Sequence, residues 1–297
     1  MSSSPQSSLR LPTGVLNSGL YLRSDVLMIV NIAGYRFVDL PDRDELREPI
    51  LDVCTEAGLK GTILLSPNGI NFFLAGTKES TDFFISHLNA DERFASIPIK
   101  VSHTEYQPFR RMLVKRKKEI ISLGMDDIRP AEFTGPYISP EEFKHMLDDG
   151  EEVVVLDTRN DYETRVGMFE GAVELDIASF REFPGAIEDL PDEYRSKTVV
   201  MYCTGGIRCE KASAVMLKAG FEDVRQLEGG ILGYFEECGG THWNGDCFVF
   251  DQRVALDHQL EETEIVMCFK CREPLSAQEQ ESEQYIIGQY CPYCYEP

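Results

Sequence analysis

Cys203 is the residue of this 297-residue chain whose neighbours in sequence most favour covalent chemistry. It opens the run Cys203-Thr204-Gly205-Gly206-Ile207-Arg208. Two glycines in succession let the backbone turn its N–H groups inward, a helix beginning there adds partial positive charge, and Arg208 adds a permanent cation. Each of these lowers the pKa of a thiol and populates the nucleophilic thiolate near neutrality. A free cysteine otherwise serves as a small buried hydrophobe, and the Gly-Gly and Arg spacing argues against that here. Cys209, next to Arg208, has two readings: a thiol that resolves an oxidised Cys203 through a disulfide, or a packing residue of the helix.

A second group of thiols lies near the end of the chain. Cys268 and Cys271, then Cys291 and Cys294, form two Cys-x2-Cys pairs separated by 19 residues. Such spacing lets two knuckles supply four thiolates to tetrahedral zinc. Four thiolates leave no open position on the metal, so the ion would be structural. The spacer is polar and buries little, which would leave the tail dependent on the metal for its shape. Free thiols or a redox dithiol are the competing readings.

The elements that must position Cys203 follow from pattern. Val153-Val154-Val155-Leu156-Asp157 reads as a parallel strand buried on both faces. Thr198 to Tyr202 repeats it and runs into Cys203, Glu210 to Ala219 is the helix after it, and Val224 to Leu227 is a further strand ending at Gly229-Gly230. Ser139 caps a helix with Pro140 at its first position. Strand alternating with helix implies an α/β parallel sheet, whose carboxyl edge is where sites form. Before it, a strand over Val26 to Ala33, a helix to Ala57, a hairpin over Gly61 to Ala75, a helix from Thr77 to Leu88 with Phe83, Phe84 and Leu88 on one face, and a strand over Ile97 to Val101 make a βαββαβ order. That order is a ferredoxin-like α+β sandwich.

Composition bounds the rest. Hydrophobic content of 42% and charged content of 27% suit a globular protein with sizeable cores, and the length suits two domains with appendages. No apolar run reaches the roughly 18 residues needed to cross a bilayer, so no membrane is expected. The polar, Ser-rich start shows no secretory pattern, and nine cysteines, an odd number, suit a reducing cytoplasm better than a disulfide framework. The net charge of −22 argues against general attraction to polyanions, DNA included. One stretch departs from it: between Lys100 and Ile120 the cations Lys100, Arg110, Arg111, Lys115, Arg116, Lys117 and Lys118 face only Glu105 and Glu119. That strip is either a solvated charge run or a surface that orients a phosphate backbone.

Val155-Leu156-Asp157-Thr158-Arg159, Gly171-Ala172, the Cys-x4-Arg loop and Leu227-Glu228-Gly229-Gly230, in that order, resemble a rhodanese domain. A six-residue cradle is similar to those that accept sulfur. Rhodaneses often carry a His where this chain has Met168. The resemblance implies that Asp157 and Arg159 order the active-site loop, although a plain internal salt bridge would use the same pair. His242 and Trp243 could cover the pocket or pack beneath it.

Pro67-Asn68-Gly69-Ile70-Asn71, Tyr202 through Ser213, and Phe248-Val249-Phe250-Asp251-Gln252-Arg253 narrow the resemblance to the bacterial tRNA uridine(34) hydroxylase family. It implies oxygen-dependent conversion of the wobble uridine to 5-hydroxyuridine, with O2 as co-substrate and Cys203 as the catalytic position. The first domain and the basic strip, Arg110, Arg111, Lys115, Arg116, Lys117 and Lys118, would hold the anticodon arm, and Arg253 would face either the site or the RNA. A persulfide-carrying sulfurtransferase is the alternative activity, and a noncatalytic binding module a third. The expected layout is a tail over 1–24, the ferredoxin-like domain over 25–123, a linker over 124–136, the rhodanese domain over 137–240, and a Cys-rich extension over 241–297.

Overall fold

The computed structural model describes residues 28–296. The tail expected over 1–24, and Val26 and Leu27 of the first expected strand, lie outside the described residues.

The first domain is built from β1 (Ile29–Phe37), α1 (Arg43–Glu56), β2 (Lys60–Ser66), β3 (Gly69–Gly76), α2 (Lys78–Asn89), β4 (Lys100–Thr104) and β5 (Met112–Arg116). Its sheet runs β4-β1-β3-β2-β5. The first four strands pair antiparallel in the order of a ferredoxin-like sandwich, with the tight β2–β3 hairpin where turn chemistry places it. Thr77 caps α2 by accepting the Ser80 N–H at 3.2 Å. The face of α2 differs from expectation. Phe84 and Leu88 are buried with Thr81, at helical intervals of three and four, whereas Phe83, one residue round the helix, is exposed.

Two strands also differ. The fourth lies over Lys100–Thr104, three residues later than Ile97, because Ile97 itself drops into the core. A fifth strand, β5, pairs parallel to β2 at the sheet edge and occupies the basic strip. Charge hid it: only Val114 of Met112–Arg116 is fully buried, while Lys115 and Arg116 point to solvent. Cations on an edge strand also discourage pairing with another chain.

The second domain contains β6 (Tyr137–Ile138), α3 (Pro140–Asp148), β7 (Val153–Asp157), α4 (Asp161–Thr164), β8 (Gly167–Phe169), α5 (Phe183–Ala186), β9 (Thr198–Tyr202), α6 (Ile207–Lys218), β10 (Asp223–Leu227), α7 (Gly230–Cys238) and β11 (Trp243–Gly245). Its parallel sheet runs β6-β10-β9-β7. Alternation along its strands feeds two cores, one per face. Leu156, Val199 and Met201 join the core that also contains Cys209, Ala212 and Met216 of α6. Val155, Val200 and Tyr202 join the core under α3 and α7, with Trp243. Cys203 continues the alternation of β9 onto the α6 side, which is why its sulfur meets the start of that helix.

The segment over 124–136 packs against this domain: Ile128 is in its core, and the Gly135 N–H donates to Ser213 Oγ at 2.9 Å. The remainder holds β12 (Cys247–Phe248), β13 (Ala255–Leu256), β14 (Val266–Met267), β15 (Pro274–Leu275) and α8 (Ala277–Gln280). No helix among the described residues is long and apolar enough to cross a membrane.

The two domains are joined by charge. Lys211 on α6 is buried and pairs with Glu119 at 2.6 Å, and Lys100 on β4 pairs with Glu236 on α7 at 2.5 Å. Arg253 is also a joint. It is buried, chelated by Asp251, and donates from Nη1 to Ser102 Oγ at 2.7 Å, so it is occupied in tying the last segment to β4.

Candidate functional site

Cys203 sits at the carboxyl end of β9 with 1% of its surface exposed. The loop after it is held from two sides. Gly206 takes φ +94°, a conformation that favours glycine, and its N–H donates to Cys203 Sγ at 3.1 Å. From below, α7 begins on the loop: Ile231 N–H donates to the Cys203 carbonyl at 3.0 Å and Leu232 N–H to the Thr204 carbonyl at 3.1 Å. Gly230 makes that approach possible. A Cβ there would strike the Cys203 carbonyl and stand 2.8 Å from the Gly206 nitrogen.

These contacts decide the state of the sulfur. Burial by itself raises the Cys203 thiol, but the Cys209 thiol, the Arg208 guanidinium and the N–H groups of Arg208 and Cys209 outweigh it and bring the pKa from 9.0 down to about 5. Cys209 moves the other way, pushed up by burial and then by its bond to Cys203. It therefore acts as a donor to a neighbouring anion, and its own sulfur lies 3.7 Å from Thr158 Oγ1. Both sequence readings of Cys209 survive in this geometry, since it packs in the core beside Cys203.

Arg208 is not the bare cation that its place in the loop suggests. It is buried and forms a bidentate pair with Glu163 of α4, Nη1 to Oε2 at 2.5 Å and Nη2 to Oε1 at 2.8 Å. Glu163 also closes a capping box with Asn160, its carboxylate accepting the Asn160 N–H at 3.2 Å. Thr204 Oγ1 donates to the same carboxylate at 3.4 Å and to the Phe248 carbonyl at 3.3 Å. Ile207 starts α6 behind the loop, and a Cβ added to Gly205 would meet no heavy atom within 4 Å, which leaves space above it.

Asp157 and Arg159 form a fully buried pair, Arg159 Nη2 to Asp157 Oδ2 at 2.6 Å. Arg159 also donates to the Gly167 carbonyl at 2.5 Å and to the Glu163 carbonyl at 3.3 Å, and lies over the rings of Tyr202 and Trp243. The pair thus bears on the Cys203 loop through Glu163, whose backbone it anchors. Trp243 is packed beneath the site among Phe169, Tyr202 and Phe235, and His242 pairs with Asp148 at 2.7 Å. Met168 sits on β8 opposite Asn244.

The first domain contributes to the site a residue that sequence reasoning missed. Tyr35, at the far end of β1, reaches over the loop: a Cβ on Gly206 would stand 3.0 Å from its hydroxyl. That hydroxyl donates to Glu210 Oε1 at 3.2 Å, and Tyr137 donates to the same oxygen at 2.5 Å. Burial raises the Glu210 carboxyl, with the Tyr137 hydroxyl the first of several bonds holding it back. Burial likewise raises Tyr35, and the charges of Glu210 and Cys203 raise it further. A contact spanning 175 residues leaves no local trace in sequence.

The predicted RNA-facing cations Arg110, Arg111, Lys115, Arg116, Lys117 and Lys118 are all exposed, with Arg116 paired to Asp44 at 3.1 Å. At the other end of the chain Cys268, Cys271, Cys291 and Cys294 bring their sulfurs within 4.8 Å of one another. A tetrahedral ion about 2.3 Å from each sulfur would set the sulfurs about 3.8 Å apart. Three of the six separations are 3.5 Å for Cys271 and Cys291, 3.8 Å for Cys291 and Cys294, and 3.9 Å for Cys268 and Cys294, and the other three stay within 4.8 Å. The four thiols fit a metal ion.

Two family models match the chain: a UPF0176 acylphosphatase like domain over residues 29–120 and a rhodanese-like domain over 139–237. Among curated proteins, the tRNA uridine(34) hydroxylase of Cupriavidus necator is 54% identical over 273 residues, covering 90% of this chain and 97% of that protein. Proteins of the same name from Cupriavidus taiwanensis and Cupriavidus metallidurans are 53% and 52% identical over the same shares.

Alkylation of Cys203 by iodoacetamide, followed by peptide mass spectrometry, reads its ionisation. A thiol brought down to about 5 reacts at a rate that is flat from pH 8 to 6 and falls only as pH drops through about 5. Arg208→Gln removes a guanidinium that favours the anion and is expected to move the midpoint upward by at least one pH unit, about 1.4 kcal/mol. A wild-type midpoint near 9 would contradict the electrostatic account.

Proposed function

Since the chain belongs to the tRNA uridine(34) hydroxylase family, we propose that it converts the wobble uridine of tRNA to 5-hydroxyuridine with Cys203 as the nucleophile. The observation that carries this reading is the place of the Cys203 thiolate: it lies where the two domains meet, and identity to the named relatives runs through both. Those names do not favour the sulfurtransferase alternative.

The chemistry follows from a polarised ring. The Cys203 sulfur bonds to C6 of the uracil, and the C5–C6 π electrons move toward O4, giving an enolate nucleophilic at C5. C5 then bonds to one atom of dioxygen. The other atom leaves as water, which consumes two electrons and two protons from an external reductant. Loss of the C5 proton with expulsion of the sulfur from C6 restores the double bond. The low pKa that makes Cys203 an anion at neutrality also makes it a good leaving group. The N–H groups around the sulfur and the Arg208–Glu163 pair hold it in one position through both steps. Tyr35 and Glu210 lie beside the loop and would be candidates to carry the C5 proton away.

A wobble base already stands in a loop, so presenting it to the site costs less unstacking than extruding a duplex base. The exposed cations on and after β5 would meet the phosphates of the anticodon arm. Zinc is the metal that best suits four thiolates, and its role would be to hold the tail. All nine cysteines are free, which suits a reducing, cytoplasmic setting.

Nucleoside mass spectrometry of tRNA tests the reading in a strain lacking this protein. Wild type is expected to restore 5-hydroxyuridine and its derivatives, Cys203→Ala to leave them at least 100-fold lower, and Ala at Lys115, Lys117 and Lys118 together to reduce without abolishing them. An unchanged profile in the deletion strain would remove the hydroxylase reading. Elemental analysis of purified protein should find about one zinc per chain, lost on Cys291→Ser with destabilisation of the tail alone. A metal-free wild-type protein that resists proteolysis between Val266 and Glu296 would exclude the structural metal.

A further inference from the structure

Phe250 is a large aromatic left 49% exposed beside the most buried chemistry of the molecule. Its mounting is rigid. The Val249 N–H donates to the Val254 carbonyl at 2.8 Å, Arg253 grips Asp251 through Nε at 2.9 Å and Nη2 at 2.5 Å, and the same Arg253 is bonded to Ser102. Behind it the buried Phe248 meets Phe250 edge to face at 5.2 Å and Tyr162 at 5.3 Å. The carbonyl of Phe248 accepts from Thr204, so this segment forms a wall of the Cys203 loop.

The Arg208 guanidinium lies over the Phe250 ring, 5.8 Å from its centre. Arg208 is also among the groups that draw down the Cys203 thiol. One guanidinium therefore bears on both the Cys203 sulfur and the exposed ring, which puts Phe250 on the solvent side of the wall beside the Cys203 loop. Covering Arg208 needs no more than a bulky apolar side chain. A flat ring half open to solvent and fixed in place offers more, because single-stranded bases are captured by stacking on aromatic faces. A ring already packed against Phe248 and Arg208 loses less rotamer freedom when the base arrives than a free one would.

Resting on the hydroxylase reading, we propose that Phe250 is the platform on which the wobble uracil stacks as its C6 approaches the Cys203 sulfur, and so positions the base for attack. Phe250 then selects for an unstacked, ring-bearing nucleotide at position 34 and acts before any bond forms.

The test uses the full-length protein and anticodon stem-loop RNA, with uridine or an abasic site at position 34. The chain has a single tryptophan, Trp243, which is buried, so Phe250→Trp adds a second reporter at the surface. Its fluorescence is expected to be quenched by the uridine RNA and unaffected by the abasic RNA. Phe250→Leu, which still covers Arg208, is expected to bind the uridine RNA about 10- to 100-fold more weakly, to lose the preference over abasic RNA, and to keep the Cys203 alkylation midpoint of wild type. Phe250→Tyr should retain wild-type binding. Equal quenching by both RNAs, or wild-type affinity and preference in Phe250→Leu, would overturn the platform and leave the ring as a cover for Arg208. These readouts need no turnover. Absence of 5-hydroxyuridine in cells carrying the wild-type protein would strike the hydroxylase reading separately.

Discussion

A sulfur anion buried away from water must be held by fixed donors, and the Arg208–Glu163 pair is the constraint from which the rest of the site follows. A guanidinium beside the sulfur favours the anion, yet a buried guanidinium needs a counter-charge of its own. Glu163 supplies it with two bonds, and Glu163 in turn needs a fixed backbone. Arg159 provides that by bonding the Glu163 carbonyl while Asp157 neutralises it. Four charges in alternating sign thus run from the end of β7 to the Cys203 loop, all at most a few per cent exposed. Removing any one leaves its neighbour buried and unpaired, at a cost of about 3–5 kcal/mol.

The same constraint explains the division of labour between domains. A rhodanese-like loop alone supplies the thiolate, since Gly206, α6 and α7 do so from within one domain. What the first domain adds is the roof: Tyr35 over Gly206, and ion pairs from Glu119 and Lys100 that fix the roof at one height. The Lys211–Glu119 pair is buried and the Lys100–Glu236 pair partly exposed, and together they tie the two domains together on either side of the loop.

Legibility in sequence tracked locality. The Cys203 loop could be read because glycine, helix start and cation fall within six residues, and the cluster of four C-terminal thiols because each knuckle spans four. The hairpin and the parallel strands were legible from turn residues and doubly apolar runs. Glu163 was not, since nothing near it in sequence points to Arg208, 45 residues away, with which it pairs. Tyr35 and Glu210 meet only through the docking of two domains. Strand β5 was concealed by the cations on and around it, because its three apolar residues are too short a run to stand out among Arg110, Arg111, Lys115, Arg116, Lys117 and Lys118. Arg253 looked like a functional cation and is a structural joint, a distinction that depends on where Ser102 lies.

The central claim is that the Cys203 sulfur bonds to C6 of the wobble base. An anticodon stem-loop carrying 5-fluorouridine at position 34 tests it directly, because fluorine at C5 replaces the proton whose loss lets the sulfur depart. The account predicts a protein–RNA adduct of stoichiometric mass that survives denaturation, maps by peptide mass spectrometry to Cys203, and is absent in Cys203→Ser. Tight binding of that RNA with no adduct, or an adduct on another residue, would contradict it.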